Sequence, residues 1–420
     1  MDKFIIKGGK SLSGEIRLSG SKNAALPILV AGLLFEKGRT VIRNVPNLAD
    51  IETILKVLGH LGVKTEWNAR NHVVTLDAAD LHSHEAPYDL VRKMRASFLV
   101  MGPLLARMRK ARVSLPGGCV LGPRPVDYHI KAFKAMGAKI TEEQGYVEAS
   151  APSLHGATIY FDKPSHTGTE NVMMAACLGK GKTTIVNAAC DPEVVDLAQF
   201  LNKAGAKISG AGGHQVQIEG VKRLVPIEYS IMPDRLEAGT LIMATASAGG
   251  EIVIKPRCDS YLGMVMARLG EAGVAFEARK DSLRVTRNGA LKAIDIATFP
   301  YPGFPTDLQA SAMPMCCLAK GISHIRETVF TERFTHVMEL VRLGADIKVA
   351  GEEAIITGVP RLTGASVMAS DIRAGAGLVV AGVAADGETE ILRIYHIDRG
   401  YERLENKLQQ LGVEIRRVQV

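Results

Sequence analysis

The stretch His60-Leu61-Gly62-Val63-Lys64-Thr65-Glu66 decides the fold, because the chain returns to its pattern at five further places. The returns are AMGAKIT at 135–141, KAGAKIS at 203–209, EAGVAFE at 271–277, RLGADIK at 342–348 and QLGVEIR at 410–416. Each reads as the end of an amphipathic helix, a glycine and a short strand. The glycine suits the left-handed residue that closes a helix. The spacing is about 70 residues, long enough for a complete supersecondary module.

Working outward, each phrase is preceded by a small-residue apolar segment: AALPILVAGLL, ASFLVMGPLLA, GTENVMMAACL, EAGTLIMATASA, LQASAMPMCCLA and AGAGLVVAGVAA. These segments lack a clean polar face, so helices formed from them should be buried on all sides. A turn and a β-branched strand follow, as in GKTTIVNA, and then a loop and the second helix. The chain is therefore expected to be α/β, in two domains of three βαβαββ-type units each. The midpoint, YSIMPD at 229–234, sets the boundary. Residues 16–18 read as a strand ahead of the first apolar helix, so the N-terminal segment crosses over. The expected domains are 21–232, and 1–20 together with 233–420.

Composition narrows the function. Of 420 residues, 47% are hydrophobic, 23% charged and only 5% aromatic, so the core is aliphatic and ordinary for a globular protein. A formal net charge of +7 favours an anionic partner. The basic residues are scattered and aromatic stacking platforms are scarce, which argues against nucleic acid. The first residues, MDKFIIKGGK, carry no signal-peptide apolar region. The longest apolar run, 374–385, is too short for a membrane span. Six cysteines without a CxxC pair predict neither a zinc site nor a disulfide framework, and a reducing cytoplasm.

Aligning the repeats on one another exposes unusual positions. At the start of the apolar helices stand Lys22, Arg95, the stretch from Ser165, Asp234-Arg235, Asp307 and Arg373. Cations there oppose the helix dipole, and they make sense where an anion sits between helix end and side chain. The loops after the second strands hold Cys119 and Arg124, then Asp191 and Glu193, Cys258, Arg333 and Arg399. Converging guanidiniums imply a ligand with more than one anionic group. Asp307 has two readings, a helix N-cap or a general base for a hydroxyl. The loop SLPGGCVLGPRPVD at 114–127 sets Cys119 among glycines with Arg124 close by, a setting in which a thiol becomes reactive or is merely part of a turn. Cys177, Cys316 and Cys317 fall inside apolar helices and read as core. Gly179-Lys180-Gly181-Lys182-Thr183 ends like a P-loop, but Ala176 stands where the first glycine belongs.

Taken together, Ser21-Lys22-Asn23-Ala24-Ala25, Met94-Arg95-Ala96-Ser97, the cysteine loop, Phe304-Pro305-Thr306-Asp307, Glu332-Arg333-Phe334, Asp371-Ile372-Arg373 and Asp398-Arg399-Gly400-Tyr401-Glu402 resemble the enolpyruvyl transferases across essentially the whole chain. The resemblance implies two inside-out α/β barrels of three repeats each, with an interdomain active-site cleft. It implies transfer of enolpyruvate from phosphoenolpyruvate to the 3′-hydroxyl of UDP-N-acetylglucosamine with release of phosphate, the first committed step of peptidoglycan synthesis. Cys119 then resembles the proton donor to C3 of phosphoenolpyruvate and Asp307 the base. Lys22, Arg124 and Arg399 resemble the clamp on phosphoenolpyruvate, with Arg95 and Arg373 nearby. Asn23, Arg124, Pro125, Val126, Asp127, Tyr128, Lys163, Ser165, His166, Asp307, Val329 and Arg333 resemble further substrate contacts. The chain departs from the family at Ser165-His166-Thr167-Gly168-Thr169, where a Ser-Val-Gly-Ala-Thr-like segment is common. No metal or organic cofactor is expected, and oligomeric state is left open. Rival readings are the sister enzyme acting on shikimate 3-phosphate, a silent paralogue that binds nucleotide sugar, and a basic RNA-binding repeat protein.

Overall fold

A computed structural model describes residues 2–92, 94–115 and 126–419, with only the backbone of Arg95. The chain divides into two compact units. One runs from Gly20 to Met232, and the other joins the residues up to Ser19 to those from Pro233 onward.

Each unit holds three four-stranded sheets, and all six sheets share one order. The module containing Lys182 shows it. Strand Thr158–Tyr160 runs parallel to Lys182–Val186, with Ile159 opposite Ile185. Strand Gln215–Glu219 lies antiparallel on the other side, Val216 facing Ile185, and Lys207–Ser209 forms the edge. Helix His166–Ala176 connects the first two strands, helix Pro192–Lys203 leads from Lys182–Val186 to the edge strand, and a turn joins the edge strand to Gln215–Glu219. Within Lys182–Val186, Thr183 and Ile185 are buried while Lys182 is exposed, the alternation of a sheet with one face on a core.

The chain ends complete these sheets. Strand Glu228–Ser230 takes the first place in the sheet of Arg39–Arg43, with Tyr229 opposite Ile42. The strand expected at 16–18 is longer, Leu12–Arg17, and pairs with Gly250–Lys255. Strand Asp2–Lys7 inserts between Glu388–Leu392 and Glu414–Gln419. The six glycines of the repeated phrase, Gly62, Gly137, Gly205, Gly273, Gly344 and Gly412, all have φ between 87° and 107°. Each ends its second helix in a conformation that a side chain would strain.

The apolar helices form the centre of each unit. In one, Arg235–Ala248, Gln309–Cys317 and Ile372–Ala384 are buried along nearly their whole length. They pack closely because glycines face backbone: a Cβ on Gly377 would lie 2.5 Å from the Ala310 carbonyl oxygen. In the other, the central elements are Lys22–Ala31, Met101–Met108 and His166–Ala176. There Gly102 approaches Asn171, and its N–H donates to Asn171 Oδ1 at 2.8 Å. The segment expected as one helix from 96 begins instead as a 3-10 helix, Arg95–Val100. Helices inside and sheets outside are the inside-out arrangement. The sheets stay separate, and no ladder among the described residues closes them into a continuous barrel. No helix among these residues is long and apolar enough to cross a membrane.

Candidate functional site

In the unit containing Pro233, the short helix Thr306–Leu308 presents Asp307 at the head of helix Gln309–Cys317. Asp307 caps neither helix, since the cap residues are Pro305 and Leu308. Its carboxylate faces two guanidiniums instead. Arg333 Nη2 donates to Asp307 Oδ1 at 2.8 Å, and Arg373 Nε lies 3.6 Å from the same oxygen. Both arginines are buried, whereas the Asp307 side chain is 31% exposed. Ion pairs of this geometry cost desolvation on both partners and persist when hydrogen bonds complete them. Arg333 Nη1 donates to Thr306 Oγ1 at 2.9 Å, and Arg373 Nη1 donates to the Tyr401 hydroxyl at 3.0 Å. Tyr401 in turn meets Thr240 Oγ1 at 2.9 Å. Burial opposes charge on Arg373, but Tyr401, Asp307 and Asp234 outweigh it and hold its proton more firmly than usual. Arg373 is placed by its helix, which Asp371 caps by accepting from the backbone N–H of Arg373 and Ala374. Arg399 ends the 3-10 helix Ile394–Arg399, half-buried, and Val329 lies in the turn after strand Ile322–Arg326.

The unit from Gly20 to Met232 carries a second polar group. Ser21 caps helix Lys22–Ala31, and its Oγ accepts from Ala24 N. Lys22 is buried and its Nζ lies 3.2 Å from Asp50 Oδ2, while Asn23 beside it is half-buried. Ser165 caps helix His166–Ala176 by accepting from Gly168 N at 3.1 Å. His166, first in that helix, has Nδ1 3.5 Å from Oε2 of the fully buried Glu170. The ligand-type atoms of His166, Asp191 and Glu193 lie within 4.8 Å of one another. Burial alone would lower the imidazole pKa, but Glu170, Asp191 and Glu193 raise it to about 10. The carboxylates thus favour the protonated imidazole, while burial raises the pKa of Glu170 itself. Nearby, Lys163 N donates to the Tyr128 hydroxyl at 3.2 Å, and the Tyr128 ring packs on Phe161.

The residues expected at the site are thus placed in two groups. Asp307, Arg333 and Arg373 come together in one unit, and Tyr128 and Lys163 in the other. Val126 and Asp127 begin helix Asp127–Ala135, where Asp127 pairs with Lys131 at 3.8 Å. Cys119, Arg124 and Pro125 lie outside the described residues, as does the Arg95 side chain. Sequence reasoning missed Asp50, Glu170, Glu327 and the buried His129, whose Nδ1 meets Asn171 Nδ2 at 3.0 Å. Nothing in a linear reading marks Asp50, Glu327 and His129, whose partners are distant in sequence, whereas Glu170 faces His166 one helical turn away and is set apart by its burial. The other five cysteines are all buried. Burial raises the thiol pKa of Cys177, Cys258 and Cys316 to about 12.

Comparison with known proteins places this geometry. Residues 6–408 match the family described as EPSP synthase (3-phosphoshikimate 1-carboxyvinyltransferase). The chain is 52% identical over 418 residues to the UDP-N-acetylglucosamine 1-carboxyvinyltransferase of Desulfosudis oleivorans, covering 100% of both. It is 54% identical over 419 residues to the enzyme of that name from Solidesulfovibrio magneticus, again covering 100% of both. Among solved structures, the enolpyruvyl transferase NikO from Streptomyces tendae superposes with a TM-score of 0.90 at 24% identity, over 100% of this chain and 99% of that one. EPSP synthase from Acinetobacter baumannii gives 0.75 at 19% identity, over 100% of both chains. These two likenesses speak for the fold.

Proposed function

The chain belongs to the EPSP synthase family of enolpyruvyl transferases, and from that premise we propose that it transfers the enolpyruvyl group of phosphoenolpyruvate to the 3′-hydroxyl of UDP-N-acetylglucosamine. Phosphate is released, and the reaction is the first committed step of peptidoglycan synthesis, in the cytoplasm. The observation that carries this reading is identity of 50–54% from end to end with enzymes named for that acceptor.

The chemistry is addition followed by elimination. The acceptor hydroxyl loses its proton as its oxygen bonds to C2 of phosphoenolpyruvate, and C3 gains a proton. The tetrahedral adduct then loses a proton from C3 and expels phosphate. Asp307 takes the hydroxyl proton; its position between Arg333 and Arg373 fixes the orientation of its carboxylate. Cys119 gives the proton to C3. Lys22, Arg124 and Arg399 hold the carboxylate and phosphate of phosphoenolpyruvate, with Arg95 and Arg373 adding positive charge where negative charge gathers. Asn23, Pro125, Val126, Asp127, Tyr128, Lys163, Ser165, His166, Val329 and Arg333 contact the nucleotide sugar. His166, cationic at neutral pH, brings charge to a segment that is commonly Ser-Val-Gly-Ala-Thr-like in the family.

The test is phosphate release from phosphoenolpyruvate with each candidate acceptor. Turnover with UDP-N-acetylglucosamine and none with shikimate 3-phosphate is expected. The opposite preference would overturn the assignment.

A further inference from the structure

Glu327 follows strand Ile322–Arg326 and is completely buried. A buried carboxylate is retained only where hydrogen bonds replace its water. Glu327 has four such bonds. Oε1 accepts from Thr298 Oγ1 at 2.7 Å and from the backbone N–H groups of Val329 and Phe330, each at 3.0 Å. Oε2 accepts from Thr306 Oγ1 at 2.9 Å. Thr298 and Thr306, both distant in sequence, and the turn that follows Glu327 are therefore tied to one side chain.

The Thr306 bond has a fixed direction. Arg333 Nη1 reaches Thr306 Oγ1 at 2.9 Å, and a guanidinium only donates. The threonine hydroxyl therefore accepts from Arg333 and gives its single proton to Glu327. The other arm of the Arg333 fork donates to Asp307 at 2.8 Å. A chain of polar contacts thus runs from Glu327 through Thr306 and Arg333 to Asp307, and Thr306 is also the residue before Asp307. The Val329–Phe330 turn is set by the same carboxylate, and the Phe330 ring lies 5.6 Å from the Arg333 guanidinium.

We infer that Glu327 is a positioning residue for Asp307, acting through Thr306 and Arg333 without touching substrate. The inference rests on the reading of Asp307 as the acceptor base. Glu327→Gln keeps the shape and one acceptor oxygen, but turns an amide donor toward Thr306. The Thr306 hydroxyl then loses the acceptor for its proton and must turn to find another, which loosens its hold on the Arg333 fork. A looser Arg333 holds the Asp307 carboxylate less firmly as an anion, so its titration moves to higher pH.

The experiment compares the wild type with Glu327→Gln, Thr306→Val and Thr306→Ser. Expected for the Gln and Val variants are a roughly tenfold loss of kcat, a KM for phosphoenolpyruvate within about twofold, and an acid limb of the pH profile raised by about one unit. Thr306→Ser keeps the hydroxyl and restores the wild-type profile. Titration of the Asp307 carboxyl carbon by NMR, assigned through Asp307→Asn, should show the same upward movement without any substrate. Thr306→Val disturbs one of the four bonds, so it reports even where Glu327→Gln fails to fold. A lowered melting temperature with an unmoved Asp307 titration in the folded variants would reduce Glu327 to a structural group and overturn the inference. A wild-type protein inactive with both acceptors would remove the functional reading alone, and the carboxyl titration would still decide this one.

Discussion

In the unit containing Pro233, one carboxylate, Asp307, lies between two guanidiniums. In the unit from Gly20 to Met232, one imidazole, His166, lies beside Glu170 and within reach of Asp191 and Glu193. The two clusters have opposite sign, yet each stands at the start of a buried central helix. The repeat therefore fixes where a polar cluster goes and leaves its charge free. A helix start exposes unsatisfied N–H groups, and the sheet loops beside it can supply either sign of side chain. The units also differ in what surrounds the central group. The anion between arginines is oriented and partly open, as the proposed role of base requires. The cation among carboxylates sits over a fully buried glutamate, which ties it to stability as well.

The largest expected contrast tests what the two units share, their dry interiors. Native protein treated with iodoacetamide near pH 8 should be alkylated at Cys119 and spared at the five buried thiols of both units. A thiol with a pKa of about 12 is thiolate roughly 10⁴-fold less often than not at that pH. Peptide mapping that finds Cys177, Cys258 or Cys316 labelled before unfolding would break the picture of equally closed cores.

Next comes the carboxylate of the arginine cluster. Asp307→Asn should lower turnover by about 10²–10⁴ while the melting temperature falls only a few degrees. Phosphate release and calorimetry together decide it. Near-normal turnover would leave Asp307 no more than an anchor for Arg333 and Arg373.

The imidazole of the carboxylate cluster should answer in stability. His166→Ala removes the compensating charge from Glu170, at a cost of about 3 kcal/mol, the low end for a broken buried pair because the imidazole is 29% exposed. The sign follows from linkage. The folded-state pKa, about 10, lies above the ordinary 6.5, so the imidazole's contribution is full below about pH 6.5 and disappears as pH rises through 10. Urea unfolding across that range should show the gap between wild type and variant closing toward alkaline pH. A gap that widens would reverse the assignment of charge.

The smallest effect probes the central helices themselves. Gly377→Ala places a Cβ 2.5 Å from a backbone oxygen that cannot swing aside. A loss of roughly 1–3 kcal/mol is expected by denaturant titration. Gly270→Ala, where a Cβ meets nothing within 4 Å, should change stability little and serves as the control for helix propensity.

The sequence alone determined the architecture. Six copies of a helix-glycine-strand phrase specify six modules, because a left-handed glycine and an all-apolar helix each admit few structural solutions. It also pointed to Lys22, Asp307, Arg333 and Arg373, which stand out once the repeats are laid over one another. Tertiary structure decided the rest. Leu12–Arg17 joins the sheet of Gly250–Lys255, and Glu228–Ser230 joins that of Arg39–Arg43, because edge pairing is chosen by what lies alongside in space. Asp307 as an arginine-held carboxylate and not a helix cap was open in the sequence, since both roles suit an aspartate before an apolar helix. Asp50 and Glu327 were invisible there. A buried charge takes its meaning from partners that folding brings to it, and those partners lie as far away in sequence as 28 residues for Asp50 and Lys22 and 29 for Glu327 and Thr298.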